Sequence, residues 1–207
     1  MSELEKRIVE NKKSDLSSLT KRGLRTRTKL LNAAEKIFGE KSYYEASIVD
    51  ITQQAKVAQG TFYIYFSSKK EIFEELIKKL SKDFRNEIRI AVLNAKSIKE
   101  AQIIGFTTFF HWVKEHRDLY KIVQQSVVVN EELHQWYYER IAQGYIKGLE
   151  DAMKGGEVRK FNPETVAYAL MGISSFIGMR WVYWENSDVP DRVLEEAINV
   201  IFEGIQS

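Results

Sequence analysis

The sequence predicts an all-α protein of about nine helices, and three observations lead to this prediction. Only two prolines, Pro163 and Pro190, interrupt the 207 residues, so helical spacing can continue almost unbroken. Apolar residues recur at intervals of three and four, whereas the alternation typical of strands is scarce. Polar capping residues precede these apolar runs repeatedly, as they do at helix starts.

The N-terminal part of the chain contains an arm and a first helix. Residues 1–20 lack an apolar face, so we expect them to form a flexible arm. From Leu24 onward, apolar residues recur at helical spacing as far as Phe38, which predicts one long amphipathic helix.

Two short helices are predicted next. Ser47, with Asp50 three residues later, resembles a capping box and begins the second helix. The segment 56–58 is too short to form anything except a turn. The third helix therefore begins near Gln59, and the four-residue spacing of its phenylalanines predicts that one face packs on the earlier helices.

The remaining helix starts are also marked by polar caps, at Ser68, Ser97, Asn130 and Asn162. A sixth helix is expected within residues 116–127, and the glycines at 155 and 156 are expected to end the seventh. The last two helices are predicted at about 163–186 and about 190–205. These elements define an arm at 1–20, a small domain at 21–70 and a larger domain at 71–207.

The net charge of +2 conceals an uneven distribution along the chain. Residues 1–70 contain 14 basic and 8 acidic side chains, whereas residues 71–207 contain 17 and 21. A basic lobe of this kind is typical of a protein that binds nucleic acid, because phosphate neutralisation supplies most of the non-specific affinity. A solubilising charged tail is the alternative interpretation for residues 1–20.

Several classes of function are disfavoured. The chain has no cysteine, which excludes thiolate metal sites and disulfides and fits a cytoplasmic protein. The longest uncharged stretch, Thr165 to Met179, is shorter than a membrane span, so no membrane association is expected. His111 and Glu115 share a helical face, yet two ligands make no metal site. No catalytic motif is present, so we expect neither an enzyme nor a cofactor.

The segment 25–77 combines the parts of a helix-turn-helix: two helices joined by a short turn, and a second helix with a polar outer face. Its paired Tyr43 and Tyr44 before Ser47, its "GTFYIYF" block and the following Lys69 resemble the DNA-binding domain of the TetR family of transcriptional regulators. Members often have glycine where this chain has Ser42, and this chain has Lys56 in the turn.

The resemblance implies that the third helix enters the major groove of double-stranded DNA. Glutamine pairs well with adenine, and glycine permits a close approach of the backbone. The predicted DNA-binding residues are Arg25, Arg27, Thr28, Ser47, Val49, Gln59, Gly60, Thr61, Tyr63, Tyr65 and Lys69. The alternative for the two tyrosines of the third helix is that they cover the phenylalanines beneath them.

The resemblance also implies a homodimer, held by the last two helices of each copy. These helices mix large apolar residues with glycines and serines, and small residues let helices approach closely. The predicted interface residues are Met171, Ser174, Ser175, Gly178, Trp181, Ile198, Ile201, Phe202 and Ile205.

The middle helices are rich in aromatic residues, and the resemblance makes them the region that binds an inducer. A mostly apolar lining favours a small hydrophobic or aromatic effector, and residues 116–153 resemble family members that sense fatty acids or their coenzyme A esters. The predicted ligand-binding residues are Phe106, Phe109, Phe110, Trp112, Tyr120, Trp136, Tyr137, Ile141 and Gly144. Ordinary core packing is the alternative for each aromatic residue.

The sequence therefore predicts a dimeric repressor that leaves a palindromic operator when a small ligand binds. The alternative is a DNA-binding protein without an inducer, which acts structurally or through a protein partner. A third class, an enzyme fused to a DNA-binding domain, has no supporting motif.

Overall fold

The computed structural model describes residues 19–205, and the side chains as far as residue 203. The predicted arm at 1–20 lies almost wholly outside the described residues. Every regular element within 19–205 is helical, which confirms the predicted all-α class. The chain divides into two compact units, with the division between Ile72 and Phe73.

The first unit contains three helices: α1 at Lys21–Glu45, α2 at Ile48–Ala55 and α3 at Gln59–Tyr65. Helix α1 begins three residues earlier than Leu24, because the Thr20 side chain accepts a hydrogen bond from the Gly23 N–H at 3.2 Å. Below these helices lies a core of fully buried side chains, which includes Leu30, Phe38, Ile51, Phe62 and Phe66.

Two non-glycine residues of this unit have positive φ angles. Ser42 interrupts α1 with φ 69° and ψ 165°, a region populated almost only by glycine. Lys56 ends α2 in the left-handed region, with φ 55° and ψ 48°. These are the two positions that the sequence singled out, and the tight connections between the helices require both conformations.

Replacing Ser42 by glycine is expected to stabilise the protein by about 1 to 2 kcal/mol, because glycine adopts this conformation without steric strain. Urea unfolding of the full chain measures the change. Ser42→Ala is the matched control, since it removes the same hydroxyl but keeps the Cβ atom at the positive φ. An unchanged or lower unfolding free energy for Ser42→Gly would contradict the assignment of strain to this position.

The second unit is built from longer helices. Helix α4 occupies Lys69–Ala91, of which residues 69–72 belong to the first unit, and α5, α6 and α7 occupy Ile98–Glu115, Arg117–Val129 and Glu131–Lys154. Helix α8 occupies Pro163–Ile177 and continues as a π-helical segment, Gly178–Trp184, before α9 at Asp191–Ile205. The predicted helix at 163–186 is therefore correct in extent but changes its hydrogen-bonding pattern at Gly178.

The predicted caps account for most of these helix starts. Ser97, Asn130 and Asn162 each accept a hydrogen bond from the backbone N–H three residues later, at 3.0 to 3.1 Å. Ser47 forms the full capping box with Asp50. At α4, the Ser68 hydroxyl accepts from the Glu71 N–H, whereas the Glu71 carboxylate accepts from Ser67.

Within the second unit, α7 packs against α6 and α8, and α5 packs against α9 and the π-helical segment. Gly178 allows close packing on α5, because a Cβ atom there would lie 3.1 Å from the Phe109 ring, closer than ordinary van der Waals contact. Among the described residues, one helical run, 163–184, is long and apolar enough to cross a membrane by length and composition. Its buried residues, such as Ala167 and Leu170, belong to the core of the second unit.

Candidate functional site

Helix α3 has an outer side of exposed residues and an inner side of buried phenylalanines. Phe62 is completely buried and Phe66 nearly so, and their rings lie 5.7 Å apart. On the outer side, Gln59 and Gly60 are exposed, and Tyr63 is 53 % exposed. A Cβ atom added to Gly60 would meet no protein atom within 4 Å. This outer side is therefore open to a partner.

The other predicted DNA-binding residues of the first unit have mixed environments. Arg25, Thr28 and Val49 are exposed, and Ser47 is exposed while it caps α2. The Arg27 guanidinium lies 5.1 Å from the centre of the Phe66 ring, so it also packs on the core. Thr61 and Tyr65 are half-buried, and the Tyr65 hydroxyl lies close to Gly23 at the start of α1.

Asp50 fixes the start of α2 by electrostatic contacts. Its carboxylate accepts hydrogen bonds from the Lys41 ammonium at 2.7 Å and from the Ser47 N–H at 2.9 Å. These contacts, with Lys41 first, lower the pKa of Asp50 to about 2. The carboxylate is therefore ionised at neutral pH, as a capping role at a helix N-terminus requires.

Lys69, the first residue of α4, has an environment that the sequence did not predict. Its ammonium donates hydrogen bonds to the carbonyl oxygens of Tyr43 and Ala46, each at 2.8 Å, and lies 4.6 Å from the centre of the Tyr43 ring. These carbonyls lie where α1 ends, and Lys69 therefore joins that end to the start of α4. A phosphate contact by Lys69 stays a prediction, and it would have to share the ammonium with these carbonyls.

Replacing Lys69 by methionine is expected to lower the free energy of unfolding by about 2 to 3 kcal/mol, because it leaves part-buried carbonyls without their charged donor. Urea unfolding measures this loss, and Lys82→Met is the control at an exposed position of α4. If Lys69 also contacts phosphate, Lys69→Met also lowers the slope of log DNA affinity against log salt concentration by about 1. Stability equal to that of the control would contradict the structural role.

The second unit encloses a cavity of about 470 Å³ whose lining is mostly apolar. Helices α4, α5, α6, α7 and α8 all contribute to its wall. The volume lies within the range of sites for small molecules. Six of the predicted ligand-binding residues line it, namely Phe109, Trp112, Tyr120, Tyr137, Ile141 and Gly144.

Three predicted ligand-binding residues do not line the cavity. Phe106 and Phe110 are buried in the core, where their rings contact each other at 6.0 Å between centres. Trp136 lies on α7, where the centre of its ring is 5.8 Å from the Arg140 guanidinium carbon. The sequence placed these aromatic residues in the same region as the cavity, but they do not line its wall, so a ligand contact by them stays a prediction.

The cavity also contains polar residues that the sequence analysis missed. Arg85, Arg89 and Arg140 contribute to the wall, together with Gln102 and Tyr145. Burial raises the pKa of Tyr120 to about 12, and burial likewise raises the pKa of Tyr137. These hydroxyls are therefore neutral at physiological pH and can act as hydrogen-bond donors or acceptors.

The predicted dimer residues are divided by burial. Met171, Ser174, Gly178, Ile198, Ile201 and Phe202 are all buried within the single chain, and their place in a dimer interface stays a prediction. Ser175 and Trp181 are half-buried, and the Ile205 side chain lies outside the described residues. Apolar spacing had selected the side of α8 and α9 that packs on the subunit's own core.

A different set of large apolar side chains is exposed on the same elements. Phe176 is 70 % exposed, Val200 69 %, Trp184 62 % and Tyr168 44 %. Exposed apolar residues concentrated on adjacent elements commonly mark a protein interface. The sequence signal for them was present, because α8 is apolar nearly all round and one side of such a helix must face away from its own core.

Comparison with known proteins connects this geometry to a family. Residues 30–76, which include α2, α3 and the start of α4, match the sequence profile of the bacterial regulatory proteins, tetR family. The chain belongs to the TetR family of transcriptional regulators. This membership establishes that the chain binds DNA through its helix-turn-helix.

Relatives of this TetR-family chain share its length and fold. The HTH-type transcriptional regulator YdgC of Bacillus subtilis is 27 % identical over 193 residues, which cover 89 % of this chain and 94 % of that protein. The fatty acid metabolism regulator protein of the same organism is 26 % identical over 136 residues, 63 % of this chain and 70 % of the relative.

A solved structure has the same fold. The Bacillus subtilis transcriptional regulator FadR in complex with stearoyl-CoA superposes with a TM-score of 0.76 at 18 % identity, covering 86 % of this chain and 99 % of FadR.

Proposed function

We propose that this TetR-family protein is a dimeric, cytoplasmic repressor that binds a palindromic operator. A small hydrophobic or aromatic ligand in the cavity of the second unit, such as a fatty acid or an acyl-coenzyme A ester, releases it from DNA. The observation that carries this proposal is the cavity of about 470 Å³ with its mostly apolar wall. The names of two relatives, a fatty acid metabolism regulator and a FadR bound to stearoyl-CoA, support the ligand class.

The DNA contacts are proposed for the open side of α3. The exposed Gln59 amide can pair with N6 and N7 of an adenine, and Gly60 lets the helix backbone approach the bases. Tyr63 is exposed enough to reach an adjacent base or sugar. Arg25, on the exposed side of α1, supplies a phosphate contact.

Helix α4 is proposed to transmit the effect of the ligand. Its later residues, including Phe84 and Arg85, line the cavity, and its first residue, Lys69, holds the carbonyls at the end of α1. A ligand that favours one position of α4 therefore acts on the same helix whose first residue binds the end of α1. By linkage, the ligand can weaken DNA binding only by as much as it prefers the form that does not bind DNA.

The test is a pair of titrations with stearoyl-CoA and with palmitate on the full-length protein. A ligand at 100 times its Kd is expected to stabilise the folded state by about 2.7 kcal/mol, which raises the melting temperature. The same ligand should lower the affinity for a duplex selected by the protein from random sequence. Stabilisation without release of DNA would contradict the inducer role, and no stabilisation by any apolar ligand would favour a regulator without an inducer.

A further inference from the structure

The wall of the cavity contains a buried amide with an unused donor. Gln102, on α5, is 6 % exposed, and within the described residues its Nε2 atom has no hydrogen-bond partner. Buried polar side-chain atoms are nearly always paired, because an unpaired donor loses its hydration without compensation. An unpaired donor in the wall of a cavity indicates that the occupant of the cavity supplies the acceptor.

Gln102 belongs to a small polar cluster in the otherwise apolar wall. Tyr145 and Ser174 also line the cavity, and both are close neighbours in this cluster. Burial raises the pKa of Tyr145, while polar contacts with Gln102 and Ser174 offset part of that rise. The Ser174 hydroxyl donates a hydrogen bond to the Met171 carbonyl at 3.1 Å. The Gln102 side chain is near enough to Tyr145 to lower its pKa, yet the Gln102 Nε2 atom meets no acceptor at hydrogen-bond distance and angle within the described residues.

The charges of the cavity wall have one sign. Among the described residues that line it, Arg85, Arg89 and Arg140 are cationic, and no aspartate or glutamate is present. The Arg85 guanidinium is oriented by hydrogen bonds from its Nε to the carbonyl and hydroxyl oxygens of Ser81, at 3.1 and 3.3 Å. A cationic ligand would meet only like charges, whereas a neutral or anionic one would not.

From these observations we infer that Gln102 recognises the ligand through a hydrogen bond. Its amide N–H donates to an oxygen acceptor, such as a carbonyl or carboxylate, of a neutral or anionic amphiphile. The alkyl or aromatic part of that amphiphile fills the remaining apolar wall. This inference rests on the proposed ligand-binding function of the cavity and narrows it, because it disfavours cationic compounds and hydrocarbons without an acceptor.

The test compares three probes by calorimetry: 2-tridecanone, dodecanoate and dodecyltrimethylammonium. Gln102→Met keeps the length of the side chain and removes the donor, and Gln135→Met changes an exposed glutamine of α7 that does not line this cavity. The wild type is expected to bind one or both carbonyl probes and not the ammonium probe. Gln102→Met should bind the carbonyl probes about tenfold more weakly, and Gln135→Met should match the wild type.

A second readout is the melting temperature without ligand. Gln102→Met should keep or raise it, since the substitution removes an unpaired donor from a buried site. If that variant fails to fold, Gln102→Glu serves as a second variant that also lacks the N–H donor, and the uncharged 2-tridecanone is the probe for it. Carbonyl probes bound equally by the wild type and Gln102→Met would overturn the role of Gln102 alone. If the wild type bound none of the three probes, the proposed ligand function itself would fail.

Discussion

Phe176→Glu is expected to convert the proposed dimer into monomers and to lower the affinity for a palindromic duplex by at least about 100-fold. The side chain is 70 % exposed on α8, and Tyr168 and Trp184 are exposed on the same helical run. In a symmetric interface each substitution introduces two carboxylates, and burying an unpaired carboxylate in an apolar contact costs several kcal/mol. A monomer reads only one half-site, so operator affinity falls when dimerisation is lost.

Sedimentation velocity gives the mass of the variant in solution, and fluorescence anisotropy gives its affinity for the duplex. Leu93→Glu is the matched control, because Leu93 is 68 % exposed but belongs to the turn after α4 and not to α8 or α9. We expect the control to stay dimeric. A dimeric Phe176→Glu variant with unchanged DNA binding would show that the exposed side of α8 is not the interface.

Gly60→Ala is expected to lower operator affinity by about 10- to 100-fold while it makes the protein more stable. No protein atom lies within 4 Å of the position that a Cβ would occupy, so the folded chain tolerates the methyl group. Alanine in a helix is more stable than glycine by about 0.5 to 1 kcal/mol. On DNA, by contrast, the methyl group occupies space that the backbone of α3 needs in order to reach the base edges, and one base contact contributes about 1 to 3 kcal/mol.

Opposite changes in stability and affinity separate a DNA contact from a folding defect. Urea unfolding and anisotropy on the same preparation measure both quantities. Gly144→Ala is the control, since a Cβ at Gly144 also meets no protein atom but lies in the second unit. If Gly60→Ala bound the duplex as tightly as the control, the proposed approach of α3 to the bases would be contradicted.

The parts of this fold that sequence predicts well are those with local causes. Ser97, Asn130 and Asn162 start helices because each side chain binds a backbone N–H only three residues away. The strained Ser42 was likewise marked beforehand, because the resembled family often has glycine at this position.

Features that depend on helix rotation and distant partners were not predictable in the same way. Helix α8 is apolar nearly all round, so spacing alone could not separate the core-facing Met171 from the exposed Phe176. Lys69 was expected to contact a phosphate. Its hydrogen-bond partners, the carbonyls of Tyr43 and Ala46, are more than 20 residues away in sequence, so local spacing could not reveal them. The unpaired Gln102 donor becomes visible only when the whole cavity wall is assembled.

The most direct test of the central claim is selection of duplexes from a random library by the full-length protein, followed by sequencing. The account predicts that the enriched sequences contain an inverted repeat, because two copies of α3 related by a two-fold axis read the same bases on opposite strands. It also predicts a mass of two chains per bound duplex. Enrichment of a single unrepeated half-site, or of no common sequence at all, would contradict a dimeric repressor of a palindromic operator.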